Sequence, residues 1–361
     1  MNPNHYCVIM AGGSGNWFWP VARENRPKEF LSITGKPFLQ ETYNRFSEIV
    51  PRENILVVTL ERYAKEARKI LPDLPDENLL LEPYSRHTTP CMAYATYTIL
   101  RRNPEAVIVA TPSDHVIRDE ELFKFSILNA LEYAGREPVL MTLGIVPKSP
   151  SDNFGYIQVM GGRHNVTDKP LKVKTFTEKP SEDLAKVFIR SGEFYWNSGI
   201  FVWSAETIRK EMERLVPEVT RLFTGWEENL GTPGEKTFLE HAYADCPKIS
   251  LDHGVMEKTD SAWLYPATFG WYDIGSWEAL YNYAPVKDRK ENAVRCDKSL
   301  MDECRGNLVL QTNPKKLVAL NGLKDFIVVD TEDVLMICPR DDKAFKDFIS
   351  DIAMPDFEDY R

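Results

Sequence analysis

The chain has few cysteines and no grouping of them: six, at positions 7, 91, 246, 296, 304 and 338, with no CxxC pair and no His/Cys cluster at zinc spacing. Neither a disulfide framework nor a structural zinc site underlies such a fold, and the six read as reduced thiols. Long apolar runs are missing too, with none reaching the ~18 residues of a membrane span. The opening residues, MNPNHYCVIMAGG, carry neither the basic stretch nor the apolar length of a secretory signal. The expected setting is therefore cytoplasmic and soluble, with no membrane partner. Positive charge is in deficit, 44 Lys and Arg against 54 Asp and Glu for a net charge of −10. That speaks against a nucleic-acid surface, so an anionic ligand needs cations gathered at one place. Glycine and proline number 19 and 24 among 361 residues, and no low-complexity linker separates segments. What remains is a globular balance, 43% hydrophobic and 27% charged, long enough for one large domain or two.

Tyr6 to Ala11 is continuously apolar and runs into Gly12, Gly13 and Gly15, after which apolar residues recur at helical spacing: Leu39, Tyr43, Phe46 and Val50. This reads as a strand, a glycine-rich loop and a helix. The alternation repeats in 54–60 followed by ERYAKEARKIL, in 78–82 followed by TPCMAYATYTILRRN, and in 106–115 followed by a helical stretch to about 134. Such repeats predict βαβ units and an α/β fold with a doubly wound, mostly parallel, Rossmann-like sheet, with ligands at the C-terminal ends of the strands. Between about 138 and 270 the pattern is mixed, and insertions covering the catalytic edge are expected there. Beyond 290, apolar runs at 307–311, 316–320, 326–330 and 334–338 predict a small all-β appendage, closed by an amphipathic helix over 343–353. The charge run VKDRKEN sets a boundary near 288, giving domains 1–288 and 289–361.

The segment CVIMAGGSGNWFWPVARENRPKEF concentrates the chemistry. Glycines directly after a buried strand let backbone N–H groups approach a nucleotide phosphate closely. The segment lacks the third glycine of a dinucleotide fingerprint and the Gly-Lys-Ser/Thr of a P-loop. Instead it supplies Arg23, Arg26 and Lys28, on a loop stiffened by Pro20 and Pro27. Asp114 ends a buried strand, where a carboxylate holds Mg²⁺ against phosphate oxygens or caps a helix. Asp273, in YDIGSW, supplies a partner carboxylate, and Asp252, in SLDHG, competes for that role or caps. Glu178 and Lys179, before Pro180, suit sugar hydroxyls and a sugar phosphate, or form an ordinary exposed pair. Asn197 carries donor and acceptor on one short side chain, matching vicinal hydroxyls or a turn beside Gly199. His115 reads as structural.

Taken together, these segments resemble the sugar-1-phosphate nucleotidyltransferase family. GGSGxxxWPxxRxxxPKEFL is similar to its signature, and EPYSRHTTP (82–90), TPSDH (111–115), LGIVP (143–147), FGYI (154–157), FTEKP (176–180), WNSGIF (196–201), PKISLD (247–252), VMEK (255–258) and YDIGSW (272–277) follow in family order. The likeness spans roughly 5–285, and DFIVVDTEDVLMIC continues it more weakly. Within the family the chain looks most like members that use GTP and mannose 1-phosphate. The resemblance implies Mg²⁺-dependent transfer of GMP to the sugar phosphate, giving GDP-mannose and pyrophosphate. It places Gly12, Gly13, Gly15, Arg86 and Asp114 on the nucleotide, and Lys28, Arg23 and Lys179 among the catalytic cations. Gly155, Tyr156, Glu178, Lys179 and Asn197 go to the sugar phosphate, and Asp114 with Asp273 to Mg²⁺. It also implies a partial β-helix at the C-terminal end, a place for homodimer contacts.

Several positions depart from the pattern. Asn16 and Trp17 stand where the family has Thr or Ser and then Arg, while His87, Thr89 and PSDNF differ from its usual residues. The family arginine stabilises charge on departing pyrophosphate, and losing one such group costs ~10²–10³ in rate. Arg23 and Arg26 are placed to compensate. The alternatives are a catalytically weakened, nucleotide-sugar-binding regulatory homologue, and a transferase for another sugar 1-phosphate and nucleoside triphosphate.

Overall fold

The computed structural model describes every residue except 14, 15, 34, 164–168 and 178, and the side chains of Asn16 and Ala353. The chain gathers into two compact units, one of Met1–Gly12, Leu39–Ser113 and Ile117–Trp271, the other of Gly13–Phe38, Asp114–Val116 and Tyr272–Arg361. Among the described residues no helix is long and apolar enough to cross a membrane, and the six cysteines are unpaired.

The first unit is built on a nine-stranded sheet. Strands β1 (His5–Met10), β2 (Ile55–Leu60), β3 (Leu79–Glu82) and β4 (Val107–Pro112) lie parallel in the order β3-β2-β1-β4. After β5 (His115–Ile117) come β6 (Leu140–Ile145), β7 (Tyr156–Val159), β8 (Leu171–Thr177), β9 (Phe194–Ser204) and β10 (Ala262–Ala267). They extend the sheet as β9-β6-β10-β8-β7. This corrects two expectations. The 138–270 region supplies strands of the sheet itself, and the sheet is mixed: β9 runs antiparallel to β4 and β6, and β8 antiparallel to β10 and β7. The physical reason is burial on both faces. Tyr6, Val8, Leu56, Val58, Ile108 and Ala110 pack with helix Thr88–Arg102 in one core. The alternating Cys7, Ile9, Val57 and Val109 are buried facing the other way. A strand covered on both faces shows the same apolar run whichever way it points.

In the second unit, β11 (Trp271–Asp273), which pairs with β5, leads through helix Trp277–Tyr283 to six further strands. These are β12 (Ala293–Arg295), β13 (Ser299–Asp302), β14 (Leu308–Gln311), β15 (Val318–Asn321), β16 (Phe326–Asp330) and β17 (Leu335–Pro339). β12, β14 and β16 stack in parallel, β13 pairs in parallel with β15, and β17 closes β16 antiparallel. The four expected runs are all strands; β12 and β13, with only two consecutive apolar residues each, gave no apolar run. Val309, Val318 and Val328 fill the space between the stacks, and a buried ladder in which Asn307 Nδ2 donates to Asn292 Oδ1 at 2.9 Å ties successive turns. The opposite faces, Leu308, Leu310, Ile327 and Val329, share a core with Phe18, Ala22, Leu31, Ile274, Trp277 and Leu280. The loop after the glycines is thus packed on the C-terminal strands.

Candidate functional site

β1 ends where the Ala11 amide donates to Val58 at 2.8 Å, and the chain leaves the sheet at Gly12 and Gly13; Gly15 lies outside the described residues. Arg23 and Arg26 then close a tight turn by exchanging backbone hydrogen bonds of 3.1 and 3.0 Å. Pro27 (φ −67°) starts the single helical turn Lys28–Phe30. That turn delivers the Lys28 ammonium to the carboxylate of Asp114, each side chain 16% exposed. Burial opposes the charge on Lys28, but Asp114 and Asp273 outweigh it and raise its pKa, so the lysine stays protonated. Asp114 likewise resists burial: Lys28, with help from His115, holds its pKa below the usual carboxylate value. Two of the expected residues, Lys28 and Asp114, are thereby paired, and the charge of Asp273 bears on the same ammonium.

Beside them lies Glu29, which the motif reading passed over. It is 2% exposed, its Oε1 has no hydrogen-bond partner among the described residues, and a Cβ added to Gly13 would stand 3.9 Å from that oxygen. Burial, and secondarily Asp114, push its carboxyl up to about 7.

Arg23 goes elsewhere. Its Nη2 donates to both carboxylate oxygens of Asp333 at 2.9 and 3.1 Å, its Nη1 to the Tyr360 carbonyl at 2.6 Å, and its Nε to the Pro20 carbonyl at 2.7 Å. Its donors are directed at protein acceptors rather than toward Lys28. Arg86 is likewise turned to protein acceptors. Nε and Nη2 donate to the carbonyls of Tyr243 and Ala244 at 2.9 and 2.7 Å, capping the C-terminal end of helix Glu235–Ala244. Tyr156 is a core residue, fully buried, its hydroxyl accepting from the Ser151 amide at 3.1 Å. Through that bond it shapes the loop before Gly155.

Asn197 sits in a polar network of β9. Its Nδ2 donates to Asp252 Oδ1 at 2.7 Å, while its Oδ1 accepts from Thr142 Oγ1 and the Gly199 amide, both at 3.1 Å. Its own amide donates to the Gly155 carbonyl at 2.8 Å. Gly199, at φ +69°, supplies the left-handed turn that lets the strand bend back on this side chain. Asp252 is thus drawn to Asn197; burial raises its carboxyl, and the Asn197 bond counters that rise. Lys179 is exposed with φ +40°, an uncommon conformation for a residue with a side chain; Glu178 lies outside the described residues.

A second buried acid, Glu82, ends β3. It is 5% exposed, accepts from the Tyr243 hydroxyl at 2.9 Å, and has Oε2 3.6 Å from where a Gly12 Cβ would be. Burial raises it to about 8, against the Tyr243 hydrogen bond. Its place, first in EPYSR at the end of a parallel strand, was the available signal. Among the described residues no group of three or more His, Cys, Asp or Glu is gathered for a metal ion. Asp114 and Asp273 are carboxylates of the hard-oxygen type that Mg²⁺ prefers, and such an ion keeps several waters and phosphate oxygens in its shell.

Residues 6–289 match the family described as Nucleotidyl transferase, and residues 303–346 the MannoseP isomerase/GMP-like beta-helix domain. A mannose-1-phosphate guanylyltransferase of Klebsiella pneumoniae is 32% identical over 341 residues, covering 92% of this chain and 70% of that protein. The alginate biosynthesis protein AlgA of Pseudomonas aeruginosa is 31% identical over 337 residues, covering 92% and 69%. A crystal structure described as a mannose-1-phosphate geranyltransferase from Thermus thermophilus superposes with a TM-score of 0.84 at 30% identity, covering 97% of this chain and 100% of that one.

Proposed function

The chain is an enzyme of the nucleotidyl transferase family, on its mannose-1-phosphate guanylyltransferase branch, and we propose that it transfers GMP from GTP to mannose 1-phosphate. A phosphate oxygen of the sugar phosphate attacks the α-phosphorus of GTP. The bond between that phosphorus and the oxygen bridging to the β-phosphate breaks, and pyrophosphate leaves with the electron pair. The nucleophile is already an anion at neutral pH, so catalysis rests on alignment and charge neutralisation and needs neither a general base nor a covalent intermediate.

The observation that carries this reading is the ion pair of Lys28 with Asp114, with the charge of Asp273 acting on the same ammonium. Lys28, kept protonated by its two carboxylates, neutralises phosphate oxygens as negative charge moves onto pyrophosphate. Asp114 and Asp273 would hold Mg²⁺, which supplies Lewis-acid polarisation of the phosphates when bound. Gly12 and Gly13 leave room for the nucleotide, to which Gly15 of the same motif is also assigned, while Asn197 and Glu178 take the sugar hydroxyls and Lys179 takes the sugar phosphate. In this reading 1–288 carries the chemistry in a Rossmann-like frame and 289–361 supports it. The unpaired cysteines suit a cytoplasmic setting. The exposed Leu300, Leu317, Leu335 and Ile337 of the C-terminal region suit homodimer contacts.

Pyrophosphate release, measured with GTP, UTP and dTTP in turn against mannose and glucose 1-phosphates with Mg²⁺, tests the assignment. GTP with mannose 1-phosphate is expected to give the highest kcat/KM; a clear preference for UTP or dTTP would end the guanylyl assignment.

A further inference from the structure

We propose that Arg23 is a positioning residue, clamping the signature loop to the C-terminal segment through Asp333 and Tyr360 and so fixing where Lys28 stands. The inference rests on the transferase reading above and adds to it a route by which the C-terminal region governs catalysis.

The clamp has several parts that converge on one place. Arg23 reaches both carboxylate oxygens of Asp333 through Nη2 alone and the Tyr360 carbonyl through Nη1, its side chain 15% exposed. The Trp19 indole donates to the same Tyr360 carbonyl at 2.7 Å. Asp333 is itself fixed, its Oδ1 accepting from the Thr331 hydroxyl at 2.8 Å. On the other side of the loop the Trp277 indole donates to the Trp19 carbonyl at 3.2 Å, with Phe18 packed edge-on to Trp277 at 4.9 Å. Between clamp and lysine the chain has little slack. The Arg23–Arg26 backbone pair closes the turn, Pro27 fixes φ, and the Phe30 and Leu31 amides donate to Pro27 and Lys28 at 3.1 and 3.0 Å. A shift of Arg23 is therefore transmitted to Lys28. A planar guanidinium whose three nitrogens reach Pro20, Tyr360 and Asp333 at once gives a directional hold that the single ammonium nitrogen of a lysine cannot supply.

The alternative is direct action of Arg23 on phosphate, and the two separate cleanly. Arg23→Ala, Asp333→Ala and the double variant are compared for kcat, for KM of both substrates, and for amide hydrogen exchange at Phe30 and Leu31. Positioning is expected to lower kcat by ~10-fold in either single variant with KM for mannose 1-phosphate unchanged, the double variant being no worse than the poorer single one. Exchange at Phe30 and Leu31 is expected to quicken in both, and Arg23→Lys to recover only part of the rate. Wild-type kcat in Asp333→Ala beside a ~100-fold loss in Arg23→Ala would overturn the proposal, as would additive losses in the double variant. Trp19→Phe, which removes a single hydrogen bond to Tyr360, gives a milder second probe; unchanged exchange in it and in Asp333→Ala would also overturn the clamp. The exchange readout needs no substrate, so a wrong substrate assignment and a wrong clamp give different results.

Discussion

Lys28 and Asp114, brought from distant parts of the sequence, form an ion pair with each side chain 16% exposed, and Asp273 acts on the same ammonium. Removing the ammonium leaves Asp114 buried without its counter-charge. Lys28→Met is therefore expected to cost about 3 kcal/mol of stability and to lower pyrophosphate release by ~10²-fold or more. Thermal unfolding and initial rates check the two separately; a wild-type rate would remove Lys28 from the chemistry.

Glu82 sets a pH dependence of stability. Burial raises its carboxyl to about 8, with the Tyr243 hydrogen bond pulling the other way, whereas in the unfolded chain a Glu titrates near ~4.3. The folded state holds the proton more tightly, so this contribution is complete below the unfolded value and is lost as pH rises through about 8. Glu82→Gln keeps an acceptor for Tyr243 and does not ionise. Its unfolding curves are expected to fall less between pH 5 and 8 than wild type, with a gain on the order of 1–3 kcal/mol at the alkaline end. A slope equal to wild type would contradict this.

Trp17 is 37% exposed, with the Lys346 ammonium 5.9 Å from its ring centre. The family pattern has arginine there. Trp17→Arg is expected to raise kcat by about tenfold, less than the full worth of a preorganised charge, in a pyrophosphate-release assay. A kcat that stays level or falls would show that the loop already serves the leaving group without it.

Asn197 holds Asp252, and losing its amide leaves that carboxylate buried with one donor fewer. Asn197→Ala is expected to cost about 2 kcal/mol of stability. Steady-state kinetics are expected to show KM for mannose 1-phosphate rising about tenfold while KM for GTP holds, as loss of ground-state sugar binding requires. Equal rises in both would move Asn197 out of the sugar subsite.

Much of this was legible in the residues. Continuous apolar runs such as Tyr6–Ala11 and 54–60 located the strands because burial on both faces demands them. The same feature hid strand direction, so β9 was not recognised as antiparallel. Lys28, Asp114 and Asp273 were legible through the ordered motifs PKEFL, TPSDH and YDIGSW, since each charge by itself reads equally well as a solvated or capping residue. The partner of Arg23 was not legible: its type announces an anion, and nothing local shows that the anion is Asp333, far along the chain. Glu29 and Glu82 stayed hidden because a carboxyl's burial depends on what packs around it, which spacing does not reveal. β12 and β13 are held by backbone ladders and stacking instead of an apolar pattern of their own.

The assignment of Lys28, Asp114 and Asp273 to the centre of transfer is tested most directly by Asp273→Asn, assayed for pyrophosphate release with GTP, mannose 1-phosphate and varied Mg²⁺. The expected result is a folded protein whose kcat has fallen ~10²-fold or more, with a raised Mg²⁺ requirement. A folded variant that turns over within about twofold of wild type, where losing one preorganised charge-stabilising group costs ~10²–10³ in rate, would contradict the assignment.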